Sequence, residues 1–564
     1  MKKRTILTLL IALLAVSSVF ASSGLAAGAA LRPITPTSDM YPMTWGSGNR
    51  GFAFIGALED IYLRVIALSG RGEDASPEEA VLIIGFDTGK GPYPPGMIEL
   101  LSKETGVRKE NIFWSTTHTH STPEITNADW KDYLDMEIRH GTRAEELAGL
   151  SLRNKARWGV MIEKQLVEAA KEALSSLQPA EIALGTTTSW INVNRDTQYA
   201  SNLVQNPYDP FGEKIPGTLE GFNGQGASDK TLTVIEIRNS VTKDPIAFIT
   251  HYAMHNVLLY ANDYFNPAFN SAHGVKIAGE DDIETGVYDP DNVENTVLSG
   301  KLEFNMAYAE PYKKNFRSIT ELDTAFNTDG ETAANAAIHP DVGGLVSQYI
   351  ERKYPGTVAI WMSGAAGDQN PVLRNTFNFE SPYTGEVLEI PVDGGFIESA
   401  VYYASIQFVD VQRAIKRIEE EDAFGPGTPV RILWGSSSVD PIDELYYAAG
   451  STEGVPYPEI PLFMTMLSIG DITLAGVPNE PFNAIGVAVR DNSDLGGAPK
   501  RNTLMVDHVW THAEENSYRS YYPDDVAILN NSHRWGRTVK YPAGVINDAY
   551  ISLLERLWEE APEV

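Results

Sequence analysis

Residues 80–123 read AVLIIGFDTGKGPYPPGMIELLSKETGVRKENIFWSTTHTHSTP. The opening AVLIIGF (80–86) is an unbroken apolar run, short and closed by Asp87, which predicts a strand buried on both faces. Residues 96–105 carry helical spacing, and NIFWST (111–116) reads as the next strand. Strand, helix and strand in succession form a βαβ unit, so the two strands should run parallel with a right-handed crossover.

The same rhythm continues outward. Helical patterns cover 156–177, 342–353, 397–420 and 544–558. Strand patterns cover 181–187, 231–237, 245–250 and 357–362, and 464–475 reads as a hairpin closed at Gly470-Asp471. The alternation predicts an α/β fold of mixed, largely parallel sheets flanked by helices, in a single domain over 31–564. Residues 256–337 break the pattern with Asn, Asp, Tyr and Gly, and are expected to be an insertion.

At the N-terminus, Lys2, Lys3 and Arg4 precede an apolar run from Ile6 to Phe20 and then small residues. That is the pattern of a secretory signal peptide within 1–30, cleaved between Ala21 and Ala30. The run falls short of the roughly 20 residues a spanning helix needs. A secreted or extracytoplasmic protein with no stable membrane span is expected. The formal charge of −31 repels nucleic acid and anionic headgroups, which excludes nucleic-acid partners. With no cysteine in the chain, disulfides and thiolate ligands are excluded, and a metal would have to take His, carboxylate or Tyr.

Open α/β sheets bind ligands beyond the carboxyl ends of their strands. Asp87 ends the first strand, and His118-Thr119-His120 follows the second. His251 ends the 245–250 strand, Gly367-Asp368-Gln369-Asn370-Pro371 follows the 357–362 strand, and Glu480 follows the hairpin. Histidines two apart on an extended segment project from one face, so His118 and His120 can address one ion. Imidazole suits zinc, and a catalytic site keeps one position open. His251 and His255 are four apart without the glutamate of an HExxH motif, which argues against that peptidase class. His251, at the strand end, is taken as the ligand, with His255 behind it or in the core.

From ITPTSDMYPMTWG (34–46) to the last helix, the chain resembles the catalytic domain of the neutral/alkaline (non-lysosomal) ceramidase family. STTHTHSTP (115–123) is similar to the family's THTHSGP segment, whose first histidine binds zinc and whose second lies in the active site. FITHYAMH (248–255) resembles the strand that brings the second zinc histidine, and GVPNEPF (476–482) the segment with the zinc glutamate. These place zinc on His118, His251 and Glu480. INVNR (191–195) implies an active-site arginine at Arg195, and IHPDVGG (338–344) the aspartate-glycine turn at Asp341 and Gly343. ENSYRSYYP (515–523) implies a zinc-site tyrosine at Tyr518, with Tyr521 as the other choice. The family's loop GDVSPN carries the proposed serine nucleophile; here GDQNPV (367–372) puts Asn370 in its place. An immunoglobulin-like C-terminal domain is not expected.

The resemblance implies a zinc-dependent hydrolase of a small-molecule or lipid substrate, cleaving an amide bond of an N-acyl (sphingo)lipid or related compound through metal-activated water. His120 would act as general base or orient substrate. Asn370, Arg195 and the Gly367 amide would face the oxyanion, while Asp368 and Asp87 would orient histidines. Two other readings use the same residues: a hydrolase of a different amide or ester, and a non-catalytic surface protein retaining the metal site.

Overall fold

A computed structural model of the chain describes residues 24–564 apart from 45–51, 58, 92, 127, 139–142, 206–213, 260–333, 373–375, 381–386, 392–396, 441–444, 447–454, 457–458, 512–520 and 531–540. Its centre is a nine-stranded sheet. The strands are β1 (Ala26–Pro33), β2 (Tyr62–Ser69), β3 (Val81–Phe86), β4 (Ile112–Thr116), β5 (Gln178–Thr188), β6 (Thr231–Asn239), β7 (Pro245–Tyr252) and β8 (Val358–Ser363), with Val509–Trp510 closing one edge. Across the sheet the order is β8, β7, β6, β5, β1, β2, β3, β4 and the edge pair.

The mixed α/β class holds, but the sheet is not largely parallel. Only β3 with β4 and β7 with β8 are parallel within it; the other neighbours are antiparallel. The physical reason is connection length. A parallel neighbour needs a crossover of a dozen residues or more, whereas β6 reaches β7 through residues 240–244, which permit only a hairpin.

A second sheet of β9 (Val430–Val439), β10 (Ile460–Ile469), β11 (Ile472–Gly476) and β12 (Thr503–Val506) lies on one face of the first. Here β11 and β12 are parallel. The period-two alternation of strand residues builds the layers. Ile66, Leu68, Val81, Ile83, Ala247 and Ile249 face the second sheet. Leu63, Val65, Leu82 and Ile84 face the long helix α2 (Arg143–Ser175) and α1 (Pro94–Thr105) on the other side. Val234, Phe248 and Trp361 pack on α3 (Asp341–Lys353) and α4 (Ile397–Glu421). The outer face of the second sheet is covered by α5 (Asn483–Asn492) and α6 (Ile546–Glu560). The result is helix, sheet, sheet, helix.

β1 lies between β2 and β5, with Leu25, Ala26 and Ala27 buried. A leader reaching residue 30 would cut through this strand. The expected insertion falls mostly outside the described residues, at 260–333. Its flanks are integral: Asn256, Leu258 and Leu259 are buried, and Ala334–Ile338 pairs in parallel with Phe52–Ala57. Among the described residues no helix is long and apolar enough to cross a membrane.

Candidate metal centre

Each parallel pair releases a loop at its carboxyl ends, and these loops meet. β3 and β4 lead to Gly89 and His118, β7 and β8 to His255 and Gly367, and β11 and β12 to Glu480 and His508. His118 enters in the left-handed region, φ 57°. Its Nδ1 lies 3.3 Å from the Gly89 carbonyl oxygen. A carbonyl only accepts, so that nitrogen carries the proton and Nε2 is left with its lone pair. His255 repeats the arrangement, with Nδ1 donating to the Ala366 carbonyl at 2.7 Å and Nε2 2.7 Å from Glu480 Oε2. Glu480 Oε1 is 3.9 Å from His118 Nε2. His120 Nε2 faces His118 Nε2 at 3.3 Å. The ring of His508 is stacked on His118.

All these groups are buried or nearly so. Burial holds the His118 imidazole at a pKa of about 3 despite the Glu480 carboxylate, and pushes His120 and His508 well below the usual range. Burial works against the Glu480 charge, yet His118, the hydrogen bond to His255 and His508 outweigh it and hold the carboxyl well below its ordinary value. Imidazoles held neutral at His118, His120 and His508, beside an ionised carboxylate that is bonded to His255, make a donor set that could hold a metal ion. Among the described residues, two overlapping triads qualify by distance, His118-His120-His255 and His118-Glu480-His508.

His251 does not join them. On β7 it shares parity with Ala247 and Ile249, so its side chain enters the space between the sheets, where Nε2 donates to the Met505 carbonyl at 2.7 Å. The chain must leave the strand before a histidine can reach the centre, and His255 is that residue. Its backbone N–H bonds to the Gln369 carbonyl, and Asn256 Nδ2 donates to the Thr117 carbonyl at 2.8 Å, tying this loop to the His118 loop. Gly343 lets Asn256 in: a Cβ there would lie 2.5 Å from Asn256 Nδ2.

Arg195 is buried, donates to the Gly367 carbonyl and to Asn370 Oδ1 at 3.1 Å, and sits over the Tyr521 ring. Tyr521 in turn stacks on His255 at 6.2 Å. Tyr518 lies outside the described residues. Among the described residues, the partners of Asp368 and Asp87 are not histidines. Asp368 accepts from Asn194 Nδ2 and from the Asn483 N–H that opens α5, and Asp87 accepts from Arg64 and the Tyr62 N–H. Both tie loops to the frame. Gly367 allows the Asp368 loop to lie against Glu480, since a Cβ there would be 2.4 Å from the Glu480 carbonyl oxygen. His508 escaped the sequence reading because β12 is only four residues long; Asp507-His508 directly after an apolar TLMV was the available signal.

A mixed α/β, two-sheet fold with a buried His/Glu cluster at the ends of its parallel strands defines the class. The fold is neutral-ceramidase-like. The neutral ceramidase of Pseudomonas aeruginosa superposes with a TM-score of 0.54 at 15% identity, over 96% of this chain and 75% of that one. A ceramidase complexed with C2 superposes with a TM-score of 0.53 at 16% identity, over 95% and 75%. No family model matches the sequence, and no curated protein does.

Proposed function

We propose that the protein is an exported zinc-dependent hydrolase that cleaves an amide bond of an N-acyl lipid or related substrate, its ion held by His118, His255 and Glu480. The observation that carries this reading is the convergence of imidazole Nε2 atoms, their tautomers fixed from behind by Gly89 and Ala366, on a buried carboxylate. With His255 Nδ1 turned to a carbonyl, its Nε2 meets Glu480 either as the second N–H of an imidazolium or through a shared cation, and an ion at this point would satisfy His118 as well. Imidazole and carboxylate are zinc donors, and a bound zinc supplies Lewis acidity and lowers the pKa of water towards neutrality.

The chain's own residues do the rest. His120, kept neutral by burial, accepts a proton as general base. Arg195 donates to Asn370 Oδ1, so Asn370 offers its Nδ2 end to a developing oxyanion. An amide side chain forms no acyl-enzyme, so hydrolysis proceeds without a covalent intermediate. A cavity of about 220 Å³ beside His508, lined by Tyr93, Pro94, Trp114, Ile125 and Trp510, suits an alkyl chain. The likeness to ceramidase folds and the leader pattern support the lipid class and export.

The test uses purified protein and a panel of N-acyl lipids and esters. Amine and fatty acid should be released, release should stop on chelation and return with zinc, and peptide mapping should find no acyl adduct. A zinc-loaded protein that leaves the panel intact would sink the reading.

A further inference from the structure

The cluster contains two imidazoles more than that ligand set uses, His120, which serves as the base, and His508. His508 follows β12, and its ring lies on that of His118 with centroids 3.7 Å apart and planes 12° apart. Ligand atoms of His118, Glu480 and His508 all lie within 4.8 Å of one another. The backbone fixes this placement on both sides. The Asp507 N–H bonds to the Ser363 carbonyl at 2.9 Å, its carboxylate accepts from the Ala366 N–H at 2.9 Å, and the Val509 N–H bonds to the Val477 carbonyl at 2.9 Å. Between these anchors His508 takes φ 57°, the same value as His118. Such a conformation in a non-glycine residue persists only where the surroundings impose it, and it gathers at functional sites. Two histidines from different sheets are thus turned by left-handed backbone towards one carboxylate.

We propose that His508 is itself a ligand of the ion, joining the set on the side of His118 and Glu480, where its ligand atom lies within 4.8 Å of theirs. The inference rests on the reading that this centre holds an ion. Three imidazoles and one carboxylate accept zinc and cobalt readily. His508 also borders the apolar cavity, so its coordination sets the ion at the cavity mouth.

The absence of cysteine from the chain gives a direct test. In the cobalt(II)-loaded protein, His508→Cys should gain a thiolate-to-cobalt charge-transfer band that native protein and His508→Ser lack. A His508→Cys protein that binds cobalt at the native stoichiometry without the band overturns the proposal. If that variant does not fold, judged by circular dichroism, His508→Ala is compared with native zinc protein by X-ray absorption. One imidazole fewer supports the assignment, and an unchanged count refutes it. Native protein that takes up neither metal overturns the metal reading itself, and this inference with it.

Discussion

His251 and His255 are four residues apart, yet one lies between the sheets and the other in the cluster. His255→Ala should abolish stoichiometric zinc by elemental analysis. His251→Ala should leave zinc content unchanged and lower stability by about 1–3 kcal/mol, because the Met505 carbonyl loses its donor. At Gly367 an added methyl meets the Glu480 backbone at 2.4 Å. Gly367→Ala should therefore cost about 1–3 kcal/mol in urea unfolding and weaken metal binding, since the strain falls on a proposed ligand's own peptide. His339 gives a pH-dependent expectation. Burial moves its pKa from the ordinary 6.5 to about 3. Between those values the unfolded chain holds a proton there and the folded chain does not. Its contribution is whole above about pH 6.5 and is lost as pH falls towards 3, by about 1.4 kcal/mol per unit. Removing the imidazole in His339→Gln should shallow the acid slope of stability by that amount, measured by urea titrations between pH 4 and 6.

Among the elements, β1 makes the sharpest claim. A chain beginning at Gly24 should fold normally. One beginning at Leu31 should not, because β2 and β5 lose the strand between them; urea transitions and solubility separate the two outcomes. The strand also shows where sequence reading stops. AAGAALRP is poor in β-branched residues, and alanine has low strand propensity, so beside an apolar leader it reads as a cleavage region. Only its neighbours make it a strand. Where apolar runs were long or β-branched, as in β3, β4, β7 and β8, both the elements and the loops after them were legible. His118 and Asn370 stand close to the centre for that reason, whereas Arg195 entered only through the resemblance carried by INVNR. The sequence favours His251 over His255 because a strand's end is visible in it, while the face its last residues take depends on register with β6 and β8.

For the whole molecule, the formal charge of −31 sets how it meets a charged surface. If the substrate is presented in vesicles, anionic lipid should slow hydrolysis relative to zwitterionic lipid, and added salt should narrow the gap as the Debye length shrinks. Equal rates on both surfaces at low salt would count against steering by net charge. The layered plan has a further consequence for how the chain reaches its native state. His255 and Glu480 are 225 positions apart, and His118 comes from a third segment. No one parallel pair contains the cluster, and each pair closes a long loop whose entropy must be lost before its contacts form. In a refolding experiment, metal uptake should therefore lag behind collapse and helix formation, and its progress would report the docking of the second sheet onto the first.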